Sequence, residues 1–306
     1  GLDFMHFAYD MCMEGRRQVG STIKPFLYSL AMENGFSPCD LAPNVQETYI
    51  VGGRAWTPRN GSRAHYGEMV TLKWGLQQSN NWISAYLMSK LNPQAFVTLL
   101  REYGINNPEI HPSMALCLGP CDITVGEMVS AYTVFVNHGI RTSPLLVTKI
   151  ADNEGNVIAE FQPRMNEVIS EESAHKMLYM LKAVVEGGTA GRLRYKYNIP
   201  GDIAGKTGTT NNNSDAWFMG ITPTLVSGCW VGGEDRDIHF TMTSMGQGAA
   251  GALPVWAYYM RRVYADKRLG YNGNAVFDLP AGYNPCQYDE SGLEDVPEDD
   301  IGQIFE

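Results

Sequence analysis

The chain has 306 residues, 44% of them apolar and 18% charged, and a formal net charge of −10 at pH 7. This is the make-up of a globular protein long enough to bury a sizeable core in one large domain or two. Basic residues neither cluster nor alternate with aromatics along a face, which argues against a nucleic-acid partner, and no apolar run approaches the ~18 residues of a membrane-spanning helix.

The charge is uneven, because residues 287–306 hold eight acids and no base, leaving the remainder near neutral at about −2. Residues 286–306 are therefore expected to form an acidic, disordered tail behind one domain over 1–285. The first residues, "GLDFMHFAYDMCMEG", lack the basic, apolar and small-residue segments of a signal peptide. Six cysteines are too dilute for a disulfide scaffold. Cys117 and Cys121 have no second pair at zinc spacing, so buried thiols or a local disulfide are expected there.

In chain order, a helix is predicted from Ser21 to a glycine cap at Gly35. The turn-rich "WTPRNGSRAHYGEM" follows. Apolar residues then recur at helical spacing through residues 71–91, interrupted by the polar run Gln77 to Asn81. Helices are expected at 94–103, ended by Gly104, and at 125–138, ended by Gly139. "LLVTKIADNEGNVIAEF" reads as a hairpin, and a helix at 171–186 closes on "EGG". Next, "DIAGKTGTT", "AWFMGIT", "TLVSGCWVG" and "IHFTMTS" read as four strands of a mainly antiparallel sheet, and a helix near 250–267 packs back on it.

Ser21 and Lys24, at i and i+3 in "STIKPF", share one side of a first helical turn, and Pro25 confines them to a helix start. Unpaired N–H groups and the positive dipole end there favour an oxygen that gains charge during attack. A serine hydroxyl needs a base, and lysine serves only if burial or a second cation lowers its pKa. "GKTGTT" offers that cation in Lys206. Strand alternation sends Lys206 and Gly208 to one face and Thr207 and Thr209 to the other, the glycine leaving room for a substrate backbone. In "QSNNW", Ser79 offers a hydroxyl relay and Asn81 an amide for a substrate carbonyl.

Ser-x-x-Lys, Ser-x-Asn and Lys-Thr-Gly in that order resemble the penicillin-binding protein and serine β-lactamase superfamily. More closely, "RQVGSTIKPF", "YGEMVTLKWGLQQSNN" and "GKTGTTNNNSDAWFMG" resemble the transpeptidase domain of class A (bifunctional) penicillin-binding proteins over about residues 15–265. The resemblance implies an α/β (α+β) fold, a mainly antiparallel sheet with helices on both faces, here without its first strands. It makes Ser21 the acylated nucleophile, Lys24 the base, and Ser79, Asn81 and Lys206 their catalytic partners. Thr207, Gly208 and Thr209 would bind the substrate carboxylate, and the N–H groups of Ser21 and Thr209 would form the oxyanion hole. The implied partners are peptidoglycan stem peptides ending in D-Ala-D-Ala, with β-lactams as covalent inhibitors. No cofactor or metal is implied. A parent protein would add a glycosyltransferase domain and a membrane anchor, holding the domain on the extracytoplasmic (periplasmic) side.

Alternatives within the superfamily are a serine β-lactamase, a DD-carboxypeptidase or a non-catalytic β-lactam sensor. "EYGIN", Glu102 to Asn106, matches the E-x-x-x-N pattern of one lactamase class but closes a predicted helix soon after Asn81. A second Ser-x-x-Lys, Ser173 and Lys176, lies on an amphipathic helix and reads as solvated surface. "GQGAAG", residues 246–251, follows an antiparallel run, so its glycines read as strand-to-helix packing and not a nucleotide site. The six histidines form no ligand-spaced pair. Asp215 reads as structural.

Overall fold

The computed structural model describes Met5 and residues 8–286. The tail expected at 286–306 therefore lies, beyond Cys286, outside the described residues. Among the described residues no helix is long and apolar enough to cross a membrane.

The helices are α1 Lys24–Glu33, α2 Leu72–Gln77, α3 Asn81–Lys90, α4 Pro93–Glu102, α5 Val125–Val136, α6 Glu171–Gly187, the single turns α7 Arg192–Tyr195 and α8 Thr243–Gly246, and α9 Ala252–Ala265. A 3-10 turn, Gly20–Ile23, leads into α1. Among the described residues the main sheet has three antiparallel strands in the order Ala204–Thr209, Asp215–Thr222, Leu225–Gly232. Helices cover both faces. Trp256 of α9 packs edge-on against Phe218, with ring centroids 5.1 Å apart. On the other face Val129 of α5 meets Met219 beside Gly228. The predicted hairpin forms as Lys149–Ala151 against Val157–Glu160.

The fourth expected strand does not form. Residues 238–242 alternate apolar and polar, yet Ile238, Phe240 and Met242 are exposed and the segment ends in α8. Alternation makes a strand only where a neighbour offers a ladder. Here Arg17 donates to the Glu234 carbonyl and Arg236 pairs with Asp122, which carries the chain away from the sheet end.

The core is built around α1, whose residues Lys24 to Met32 are all buried, the pattern of a helix surrounded by protein. Phe26 packs against Tyr103, Tyr132 and Phe135 at centroid distances of 4.6, 5.4 and 5.9 Å. Two of these rings also anchor α1 and the turn ahead of it by hydrogen bonds. Tyr132 Oη donates to the Thr22 carbonyl at 2.7 Å, and Tyr103 Oη donates to Ser29 Oγ at 2.8 Å. Phe26→Ala is expected to cost about 3–5 kcal/mol in a urea melt; a loss below about 1 kcal/mol would mean that the cluster does not carry the core.

Gly35 closes α1 as expected, in a left-handed conformation with Phe36 N–H returning to the Ala31 carbonyl. At α5 both His138, at φ 53°, and the predicted Gly139, at φ 86°, are left-handed, and Gly139 N–H returns to the Val134 carbonyl at 3.0 Å. Cys117 and Cys121 are buried thiols, both pushed up to about 12 by burial. Cys39 and Cys286, unpaired in the sequence reading, form a disulfide. Ser173 and Lys176 are not solvated: the serine is buried, and the lysine is mostly covered and paired with Glu172.

Candidate active site

Three segments meet at one cavity of about 920 Å³, whose lining includes Ser21, Ser79, Asn81, Thr207 and Thr209. Each arrives there for a local reason. Ser21 stands on the 3-10 turn just ahead of Pro25, where the chain is only beginning to close helical bonds. The turn is seated by Gly20, at φ 51°, in which a Cβ would lie 2.6 Å from the Thr209 carbonyl oxygen.

Ser79 ends α2. Its N–H bonds the Leu76 carbonyl and that of Asn80 bonds the Gly75 carbonyl, the double closure that puts the residue between them in the left-handed region. Glycine usually fills that position, whereas Ser79 holds φ 54°, a strain of about 1 kcal/mol or more. The strain aims its hydroxyl at two amines. Asn80 then caps α3 through Trp82 and Ile83 N–H, which fixes Asn81 as the first residue of that helix.

Lys24 and Lys206 are both fully buried. Lys24 Nζ donates to the Ser79 carbonyl at 2.7 Å, to Asn81 Oδ1 at 2.7 Å and, more weakly, to Ser79 Oγ at 3.4 Å. Lys206 Nζ donates to Ser79 Oγ at 2.8 Å and to the Thr207 carbonyl at 3.0 Å. Ser79 thus bridges the two amines. Burial brings Lys24 down to about 7. Burial and then repulsion from Lys24 take Lys206 well below its ordinary value. Of the two causes the sequence allowed, it is burial that depresses Lys24.

Thr209 presents its backbone to the cavity because of register. Among the described residues its strand is the sheet edge, and Thr210 N–H bonds back to the Asp215 carbonyl, so the alternate N–H of Thr209 points out of the sheet. Thr207 Oγ1 lies 2.7 Å from Thr189 Oγ1, and Thr209 Oγ1 accepts from Gly248 N–H at 3.1 Å.

Residues 7–228 match the profile of the penicillin binding protein transpeptidase domain. The chain belongs to that family. Among its relatives, penicillin-binding protein 1A of Neisseria meningitidis serogroup B (strain MC58) is 33% identical over 269 residues, covering 85% of this chain and 33% of that protein. Penicillin-binding protein 1A of Aquifex aeolicus is 32% identical over 285 residues, covering 92% of this chain and 37% of that protein. The chain thus spans about a third of the length of these relatives. Its fold matches penicillin-binding protein 1A from Haemophilus influenzae with a TM-score of 0.81 at 27% identity, over 90% of this chain and 46% of that one. It also matches the penicillin-binding protein PonA1 from Mycobacterium tuberculosis with a TM-score of 0.70 at 25% identity, over 87% of this chain and 72% of that one.

In this transpeptidase domain all the sequence-predicted site residues converge, but three do so in unexpected ways. Lys206 is sealed behind Ser79 and does not line the cavity, so Thr207 and Thr209 are the members of its motif that face the cavity. Gly208 opens no room for a substrate: a Cβ there would meet Thr22 Cγ2 and the Val19 carbonyl at 2.8 Å, so the glycine lets the Ser21 turn dock on the strand. Asn81 spends its amide nitrogen on the Arg59 carbonyl at 2.7 Å and its oxygen on Lys24.

Sequence reasoning missed Arg59, Asn60, Thr189 and Gln247 in the wall. For Thr189 the word "GGTAGR" was an available signal; the others sit in loops whose approach is decided by the fold. Glu102 and Asn106 do not line the cavity, and among the described residues none of its lining side chains is a carboxylate.

Proposed function

We propose that this domain is a serine DD-transpeptidase of peptidoglycan synthesis, and that the fully buried Lys24 beside Ser79 is the observation carrying the mechanism. Lys24, with a pKa brought down to about 7, is neutral often enough at physiological pH to take the Ser21 proton. Ser21 Oγ attacks the carbonyl between the two D-alanines of a stem peptide. The resulting oxyanion is stabilised by Ser21 and Thr209 N–H, the second of which points out from the sheet edge. The C–N bond then breaks, and the leaving D-alanine takes a proton from Lys24 through Ser79 Oγ. An amine of a second stem peptide then attacks the ester carbonyl; the C–O bond to Ser21 breaks, and the proton lost by the amine passes by way of Lys24 to Ser21 Oγ. Thr207 and Thr209 hydroxyls hold the donor's terminal carboxylate.

A β-lactam presents a ring-strained amide in place of that peptide bond, and its reaction stops at the ester. The lack of a carboxylate among the described lining residues favours a long-lived ester over rapid hydrolysis, because no carboxylate stands there to activate water. On this reading residues 1–285 act as one transpeptidase domain, on the outer side of the cytoplasmic membrane, in a parent that carries a glycosyltransferase domain and an anchor.

Intact-mass spectrometry with a penicillin, followed by peptide mapping, tests the assignment. The expected product is one stable adduct on Ser21, and a thioester D-Ala donor is turned over. An adduct on Ser21→Ala would refute the nucleophile, and one that vanishes within seconds would point to a β-lactamase.

A further inference from the structure

The histidines, unpaired by spacing in the sequence, are brought together by the fold at the end of α6 far from the cavity. His138, Glu171 and His175 offer ligand atoms that all lie within 4.8 Å of one another. We propose that these three side chains bind one divalent transition-metal ion of the zinc class, with Asp278 orienting His138 from behind.

The elements deliver the ligands by separate physical routes. Glu171 and His175 are at i and i+4 on α6 and share a face. His138 comes from the turn that ends α5, where it holds φ 53°. That turn is pressed onto the segment leading into α6, since Val168 and Ile169 N–H both bond the Gly139 carbonyl, and a Cβ on Gly139 would strike the Ile169 carbonyl. The His138 ring is therefore presented to Glu171 by backbone that cannot easily retreat.

Glu171 Oε1 sits between the two rings, 2.8 Å from His138 Nδ1 and 3.8 Å from His175 Nε2. A tetrahedral zinc with bonds of ~2.0–2.1 Å separates its ligand atoms by roughly 3.3 Å, so both distances need to change by only about half an ångström. His175 Nε2 is buried and has no hydrogen-bond partner among the described residues, although it points at this carboxylate. A buried imidazole nitrogen left unpaired is costly, and a metal would satisfy it. The other nitrogen of His138, Nε2, lies 3.5 Å from Asp278 Oδ2, the carboxylate–imidazole–metal arrangement that fixes a tautomer and strengthens the ligand. Two imidazoles select zinc, nickel or copper over magnesium and calcium, which prefer all-oxygen sites.

The role is structural. α6 is 17 residues long, so the cluster lies on the order of 25 Å from Gly187 at the other end, where Thr189 reaches Thr207. Beside the cluster runs the last described segment: Tyr283 packs on the His175 ring at 5.7 Å, and Cys286 is tied to Cys39. A metal here would join α5, α6 and that segment.

The test is zinc titration by calorimetry of chelator-treated protein under conditions that keep the disulfide, with cobalt(II) as a spectroscopic probe and thermal melting alongside. The expected result is one ion per chain, tetrahedral cobalt bands without thiolate charge transfer, and a melting temperature raised by zinc. Glu171→Gln, an exposed change that leaves the core intact, and His175→Ala are expected to abolish uptake. Asp278→Asn is expected to weaken uptake about 10–100-fold. Penicillin labelling of Ser21 should proceed with or without zinc, so loss of labelling bears on the proposed function and not on this site. No uptake in the micromolar range, uptake that survives Glu171→Gln, or a thiolate band would each overturn the proposal.

Discussion

Lys24→Ala is expected to slow acylation of Ser21 by a penicillin about 10²–10⁴-fold, the usual contribution of a general base. In the unaltered protein the acylation rate is expected to climb with pH through about 7 and level off above it, because only the neutral amine accepts the serine proton. The cause of the depressed value is burial against the turn between α2 and α3, where Nζ is held by one carbonyl, one amide oxygen and one hydroxyl and, among the described residues, by no carboxylate. The rate of labelling by a fluorescent penicillin between pH 5 and 10 measures this, and a rate still rising at pH 9 would show an ordinary lysine and exclude Lys24 as the base. The same burial bears on stability. Above about pH 10.4 neither state holds the Lys24 proton; as pH falls toward 7 the unfolded chain binds it while the native chain does not, so this group's stabilising contribution is lost across that window.

Asp215→Ala is expected to destabilise the domain by about 3–5 kcal/mol, because it strands the Arg17 guanidinium in the interior. Asp215 is fully buried; its Oδ1 accepts from Arg17 Nε at 2.8 Å and from Trp230 Nε1 at 3.0 Å, and its Oδ2 accepts from Ser214 Oγ at 2.9 Å. Arg17 lies four residues before Ser21, and Trp217 Nε1 donates to the Gln18 carbonyl at 2.8 Å, so the same network moors the Ser21 turn to the middle strand. Labelling of Ser21 is therefore expected to fall with stability. Urea melts provide the measurement, with Asp215→Asn as a milder control that keeps acceptor capacity. A melt within about 1 kcal/mol of the parent for Asp215→Ala would mean that water or another group takes the carboxylate's place, and that the moorings of the turn lie elsewhere.

Much of the site was legible because its chemistry is local. Ser21 and Lys24 are one helical turn apart, Pro25 marks the helix start, and Lys206 to Thr209 alternate along a single strand, so spacing alone states which atoms can be neighbours. What spacing could not state was direction. Whether Lys206 faces solvent or the interior depends on the helix laid over its strand, and in the structure it is sealed behind Ser79. Gly208 was assigned room for a substrate, but the room is taken by Val19 and Thr22, which belong to a segment nearly two hundred residues away in sequence. The strand expected near Ile238 failed for a related reason: its alternation is real, but strand formation is decided by a partner.

The sequence alone determined the order of the motifs, the helices bounded by Gly35 and Gly104 and the hairpin at 149–160, since each rests on bonds between residues close in the chain. Only the tertiary structure decided that burial sets the character of Lys24, that Ser79 bridges two amines from a left-handed backbone, that Cys39 meets Cys286, and that His138 meets His175 across Glu171. These are contacts between distant segments, and their energies come from desolvation and close approach, which depend on what the folded chain places around a group and not on what precedes or follows it.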